Sequence, residues 1–226
     1  MSSSFYTKAW VDFCKQHQVF ENAVPLFAME GDRVALETRV RTTKKLLHRS
    51  QEMESLVIQE AAKVCDDYDQ KTEEYEGLLY LMLWREDQEV LPLYFGKTEK
   101  YGKKNKNLSD NLRGVPEGHN KSNFCRWGHN YAYHIGDLSA VVCPSHPEKH
   151  KTPKYQRWAD QLFADTTSRR LKQTVWFWTK AWSKTDSVSV EVYGGPTALS
   201  ASEYQLIGIG STLYPDTILN MEGVNR

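Results

Sequence analysis

Residues able to do chemistry gather in the second half of this chain. Between Lys97 and Arg126 eight lysines and arginines (97, 100, 103, 104, 106, 113, 121, 126) stand against three acids, Glu99, Asp110 and Glu117. Between Glu30 and Glu76 the balance reverses, with twelve acids against eight bases. A local basic segment is either a binding surface for an anionic partner or a solvated loop. Overall charge does not decide, because 29 Lys and Arg equal 29 Asp and Glu. Further on, Cys143-x2-His146-x3-His150 has ligand types and spacing that can hold zinc, with Cys125 or His129 as a fourth donor. Pro144 and Pro147 point instead to a rigid surface loop. Arg126, His129, Asn130, Tyr133, His134 and Asp137 share one side of a helix. That stripe is either a hydrogen-bonded buried network or an extension of a ligand site. Finally, Ser200-Ala-Ser-Glu203 reads as a capping box that opens a short helix ending near Gly208–Gly210.

The elements that must position these groups follow from hydrophobic period. The chain has 226 residues, 40% hydrophobic and 26% charged. That is ordinary for a globular protein, excludes wholesale disorder, and is long enough for a core without disulfide or metal staples. Two regions differ in pattern, 1–76 and 77–226. The first reads as helical. Tyr6, Trp10, Phe13 and Cys14 make one apolar face of a short helix, and Pro25 and Gly31 break it. Residues 33–69 hold no Pro or Gly and read as one long helix, or two with a bend near His48–Gln51. The second region opens with apolar runs Gly77–Trp84 and Val90–Phe95 around a polar turn, a β-hairpin. A lysine-rich loop follows, then a helix over Asn123–Val142. Gln173–Trp182 is aromatic and β-branched, a strand. Ser187–Tyr193 reads as a strand or a helix lead-in. The fold class is therefore α+β, a small mixed or antiparallel sheet flanked by helices, with an N-terminal helical elaboration. Gly77–Trp84 is far short of the ~20 residues of a membrane span. The polar Met1-Ser2-Ser3-Ser4 start does not read as a signal peptide, and cysteines 14, 65, 125 and 143 form no C-x-x-C pair. Free thiols in the cytoplasm are expected.

In this order the chain resembles the GIY-YIG nuclease superfamily over about residues 77–220. Leu78-Leu79-Tyr80 stands where the family has Gly-Ile-Tyr. Tyr94-Phe95-Gly96-Lys97-Thr98 is similar to its Tyr-Ile/Val-Gly-Lys-Thr/Ser. Phe124-Cys125-Arg126-Trp127-Gly128-His129 resembles its helix with Arg followed by His. Glu203-x-x-Leu206-Ile207, then Pro215 and Asn220, resembles its ending. The lysine-rich insert is similar to that of the restriction-type branch.

The resemblance implies a metal-dependent endonuclease that hydrolyses DNA phosphodiesters. Glu203 would hold Mg²⁺ or Mn²⁺, mostly through waters. Arg126 would pair with the scissile phosphate through its guanidinium fork. Tyr80 or Tyr94 would position or deprotonate the attacking water. That role needs a tyrosine pKa below the usual ~10, which Lys97 could lower. His129 takes the family's histidine role, with His134 as the other candidate, and Asn220 would orient a neighbouring group. Lys100, Lys103, Lys104, Lys106, Arg113 and Lys121 would contact backbone phosphates. Tyr80, Tyr94, Lys97, Arg126 and Glu203 should then converge on one concave face. In a restriction-type enzyme the long helix would provide a homodimer surface, since two cuts need two sites. Restriction, phage or mobile-element, repair and toxin contexts stay open. The alternatives are a catalytically inactive nucleic-acid-binding protein on the same scaffold, or a protein-interaction module.

Overall fold

The computed structural model describes residues 3–38, 44–102, 106–117, 134–144 and 146–221. In chain order its elements are α1 (Ser3–Gln16), α2 (Val19–Asn22), β1 (Val24–Pro25), β2 (Met29–Glu30), β3 (Arg33–Val34), β4 (Leu36–Thr38) and β5 (Lys45–Leu47). Then come α3 (Gln51–Gln70), β6 (Tyr75–Glu86), β7 (Glu89–Glu99), α4 (Ile135–Val142), α5 (Pro153–Leu162), β8 (Phe163–Asp165) and β9 (Arg170–Leu171). The chain closes with β10 (Trp176–Ser183), α6 (Val190–Tyr193) and α7 (Leu199–Leu213). The architecture is α+β, with an antiparallel sheet in the order β1-β10-β6-β7.

The expected hairpin forms one half of that sheet, with β6 inside and β7 at its edge. Asp87 and Gln88 make its turn, both at positive φ (47° and 92°), the twist that two-residue hairpins prefer. Along β6 every residue from Gly77 to Trp84 is buried. The side chains alternate as strand geometry demands. Leu78, Tyr80, Met82 and Trp84 enter one core, and Leu79, Leu81 and Leu83 enter the other. A bulge lets Tyr94 oppose Met82 while Pro92 opposes Leu83, so Leu93 has no partner on β6. Pro92 donates no N–H, and edge strands with bulges are where strand proline is tolerated.

Both faces are covered. On the Tyr80 side α3 lies over β6 and β10, and Trp158 and Leu162 of α5 and Leu138 of α4 join the same core. On the Leu79 side α7 lies over β6 and β7, and α1 packs against α7 through Trp10 and Phe13. β1 adds to β10, with Val24 opposite Phe177. The N-terminal segment thus supplies both sheet and cover.

The long helix over 33–69 is corrected. Only Gln51–Gln70 is helical, and the preceding residues form β3, β4 and β5. β4 pairs with β5, and residues 39–43 between them lie outside the described residues. The pairing of β4 with β5 and the bridge between Phe27 and Arg49 hold this stretch extended. Ser50 then starts the helix, its hydroxyl accepting the Met53 N–H at 2.9 Å. Twenty residues span about 30 Å, not 50. The apolar stripe Met53, Val57, Ala61 and Val64 is spent within the chain, and the excess length that suggested a dimer surface is absent.

Two other expected elements appear in part. The helix over Asn123–Val142 is described only as α4, Ile135–Val142. Ser187–Tyr193 resolves as the short α6, with Ser189 as its cap.

One buried ion pair fastens α3 to the end of β7. Lys100 Nζ lies 2.6 Å from Asp67 Oδ2, with side-chain exposures of 1% and 2%. Asp67 also accepts from Thr72 and from the N–H groups of Glu74 and Tyr75. Burial opposes the Asp67 charge, but these donors outweigh it and hold its carboxyl well below the usual range. Burial likewise opposes the Lys100 charge, and Asp67 more than offsets it, raising the ammonium pKa. Asp67→Asn should cost about 3–5 kcal/mol at neutral pH, because it strands a buried ammonium. The Asp67 contribution is complete above its unfolded pKa of about 3.9 and is lost as pH falls through the folded value. Denaturant melts of both proteins should therefore differ at pH 7, and the difference should begin to shrink as pH falls below about 4. A constant difference down to pH 3 would contradict this assignment.

Candidate functional site

The tyrosines of the hairpin come together on one face of the sheet. Their ring centroids lie 6.3 Å apart, and both rings are buried. Tyr80 faces Gly96 across the ladder, and its ring lies directly on that glycine. A Cβ at Gly96 would sit 2.4 Å from Tyr80 Cζ and 2.5 Å from its hydroxyl oxygen. Glycine is needed here for close approach, not for a turn.

Tyr94 packs into an aromatic nest. His134 lies edge-on at 4.7 Å and Trp158 at 4.9 Å. His134 stacks on Trp158 at 5.1 Å with 9° between planes. Tyr155 Oη accepts the His134 main-chain N–H at 2.9 Å and meets its Nδ1 at 3.3 Å. Burial, helped by Lys154, pushes the His134 pKa down to about 3, so the imidazole is neutral at ordinary pH. His134 sits at φ 37°, ψ −91°, a strained backbone for a residue with a Cβ.

Lys97 leaves β7 on the other face. It opposes Leu79, and its Nζ donates to Ser200 Oγ at 2.7 Å and to Glu99. Ser200 is the second residue of α7, whose first N–H, that of Leu199, donates to Glu76 Oε2 at 2.5 Å. The capping-box reading is therefore corrected: α7 starts at Leu199, Glu203 lies a turn inside it, and Ser200 holds Lys97. The helix also runs past Gly208 and Gly210 to Leu213. A Cβ at Gly210 would sit 2.8 Å from Phe95, so helix and strand approach closely there. Glu203 is half-buried on the flank of α7 that also carries Ser200 and Ile207.

Convergence on one concave face is not what forms. Tyr80 and Tyr94 point to the side of α3, α4 and α5, whereas α7, with Glu203, covers the opposite side. Between the two groups runs the β7 stretch at Gly96, which is buried, and Lys97, which is half-buried. The Lys97 ammonium lies on the α7 side, where it meets Ser200.

Asn220 binds that same edge. Its Oδ1 accepts the Phe95 N–H and its Nδ2 donates to the Phe95 carbonyl, both at 2.9 Å. The Leu219 N–H donates to the Leu93 carbonyl at 2.6 Å. The side chain replaces a missing strand beside Tyr94.

Among the basic residues, Lys100 is corrected: it is buried on Asp67 and cannot meet a phosphate. Lys106 is exposed. Arg113 is exposed, donating to the Leu108 carbonyl and lying 3.6 Å from Asp110. Arg126, His129, Lys103, Lys104 and Lys121 lie outside the described residues.

Among the described residues no group of three or more His, Cys, Asp or Glu side chains converges to hold a metal. His146 Nε2 donates to the Lys45 carbonyl at 2.7 Å, and Cys143 is a buried thiol pushed up to about 11 by burial. Neither is arranged as a zinc ligand. A hard cation on the single carboxylate of Glu203 fits a shell that is mostly water. No described helix is long and apolar enough to cross a membrane.

Sequence reading missed Ser200 and Glu99 as partners of Lys97. A usable signal existed for Glu99, since residues i and i+2 share a strand face. For Ser200 there was none, because a serine before a helix reads as a cap. Compared with known proteins, the chain matches no family model, no curated protein and no solved structure.

Gly96→Ala tests the tyrosine geometry. The new methyl must displace the Tyr80 ring, at a cost of about 1–3 kcal/mol. Melting should report that loss, and Tyr80 fluorescence or ring NMR shifts should change. Unaltered ring shifts would show that Tyr80 does not lie on this glycine.

Proposed function

We propose that this chain is a metal-dependent endonuclease of the GIY-YIG type, hydrolysing DNA phosphodiester bonds. The observation that carries the reading is the edge of β7. There the Tyr80 ring on Gly96, the adjacent Lys97, and Lys97's tie through Ser200 to the helix of Glu203 link the motif residues in one stretch of chain. The antiparallel hairpin with a third strand beside β6 supports it as the scaffold for those motifs.

Phosphodiester hydrolysis needs positive charge on non-bridging oxygens as they gain electron density, and an oriented water opposite the leaving group. Lys97 would bring an ammonium, and Arg126 would add a guanidinium fork. Tyr80 and Tyr94 would orient the attacking water. Glu203 would hold Mg²⁺ or Mn²⁺, which supplies further positive charge at the phosphate when bound. Asn220 would keep the strand between the tyrosines and Lys97 in place. Lys106, Arg113 and the lysines beyond the described residues would hold the DNA backbone without reading bases.

Incubating purified protein with supercoiled plasmid, with Mg²⁺ or Mn²⁺ and with chelator, tests this. Metal-dependent nicking or linearisation is expected. Glu203→Gln should slow cleavage at least about a thousandfold while the melting temperature moves little. DNA retention should persist and weaken steeply with salt. DNA retention without cleavage by the wild type would favour a catalytically inactive nucleic-acid-binding protein. Near wild-type cutting by Glu203→Gln would remove the metal from this residue.

A further inference from the structure

Lys97, Ser200 and Glu99 close a triangle where β7 meets the first turn of α7. Lys97 Nζ donates to Ser200 Oγ at 2.7 Å and to Glu99 Oε1. Ser200 Oγ in turn donates to Glu99 Oε1 at 3.3 Å. The surrounding chain fixes Ser200 in position. Glu76 takes the first N–H of α7. Gly77 allows that turn to touch the sheet, since a Cβ there would meet Leu199 Cδ2 at 2.9 Å and the Thr98 carbonyl at 2.1 Å.

The two partners of Lys97 differ in kind. Ser200 is neutral, so it contributes direction and no charge. Glu99 is an anion on the solvent side: its side chain is 57% exposed against 21% for Lys97. An exposed carboxylate oxygen hydrogen-bonded to a half-buried ammonium occupies the position a phosphate oxygen would take. The Lys97 bond also holds the Glu99 carboxyl below its ordinary range, so it is charged at neutral pH.

We propose that Ser200 is a positioning residue that aims Lys97, and that Glu99 is an internal anion which a substrate phosphate displaces from it. This rests on the nuclease reading. In the free protein Lys97 is oriented and neutralised. On binding, the phosphate oxygen exchanges with the carboxylate, no covalent bond changes, and Ser200 keeps the ammonium on line. Competition from Glu99 weakens substrate binding and keeps other anions off Lys97.

The test is steady-state cleavage of supercoiled plasmid with Mg²⁺, with melting curves on each variant. Ser200→Ala should lower kcat by roughly ten- to a hundredfold with KM little changed, because a misplaced group costs rate in the chemical step. Ser200→Thr, which keeps the hydroxyl, should restore most of it. A purely structural serine would lower the melting temperature and leave the rate per folded molecule unchanged. Glu99→Gln should lower KM several-fold. Wild-type kcat in Ser200→Ala, no rescue by threonine, or a raised KM in Glu99→Gln overturns the proposal while the nuclease reading stands. A folded wild type that cuts nothing overturns the nuclease reading, and this proposal falls with it.

Discussion

The structure depends on a strand that has no face for solvent. β6 buries every side chain from Leu78 to Trp84. Each large apolar side chain removed from water contributes roughly 1.5–3 kcal/mol, more than the ~1 kcal/mol net of a typical hydrogen bond. Covering both faces of β6 therefore outweighs any single polar contact in deciding the architecture. The helices α3 and α7 do this directly, and α1 extends the cover over Phe95 and Trp178. The N-terminal segment is drawn into the same core by this need, through Leu26, Phe27 and β1.

Covering two faces leaves two edges, and unpaired strand edges invite association with other chains. At the β10 edge, β1 pairs with Trp176 and Phe177. Beyond it the Ala181 N–H donates to Glu60 Oε2 at 2.7 Å. At the β7 edge Asn220 and Leu219 take the backbone groups of Phe95 and Leu93. Both clasps use residues of helices or the C-terminal segment in place of strands.

The hairpin was legible because its signal is an uninterrupted apolar run, which only a two-sided burial explains. The strand at 173–182 was legible from its Trp and Val content. Residues 33–47 were not, because alternation in strands of two or three residues is too short to separate from a charged helix. Tertiary pairing with β5 and the bridge from Phe27 to Arg49 decide there. Lys100 was misread for a related reason. Lysine is almost always exposed, and only the fold brings Asp67 against it. For the candidate site, the sequence located the residues of the edge but not their faces. The face of Tyr94 depends on the bulge at Leu93, which no residue pattern announces, and the face of Glu203 on where α7 begins.

That bulge bears on how a large ligand can be served. With both faces of the sheet covered, a polymer such as DNA has access only to an edge. An edge strand offers alternate side chains to opposite faces at ~3.3 Å per residue. Gly96 is buried there and Lys97 half-buried, so a phosphate would reach this stretch at the Lys97 and Glu99 side chains. On one side the Tyr80 ring reaches over Gly96 because no Cβ stands between them. On the other, Lys97 is tied to Ser200 of α7. Placing the two tyrosines and the carboxylate on opposite faces is thus compatible with one reaction centre if that centre straddles the strand. Glycine follows at position 96 from the same geometry: any larger residue would meet the Tyr80 ring.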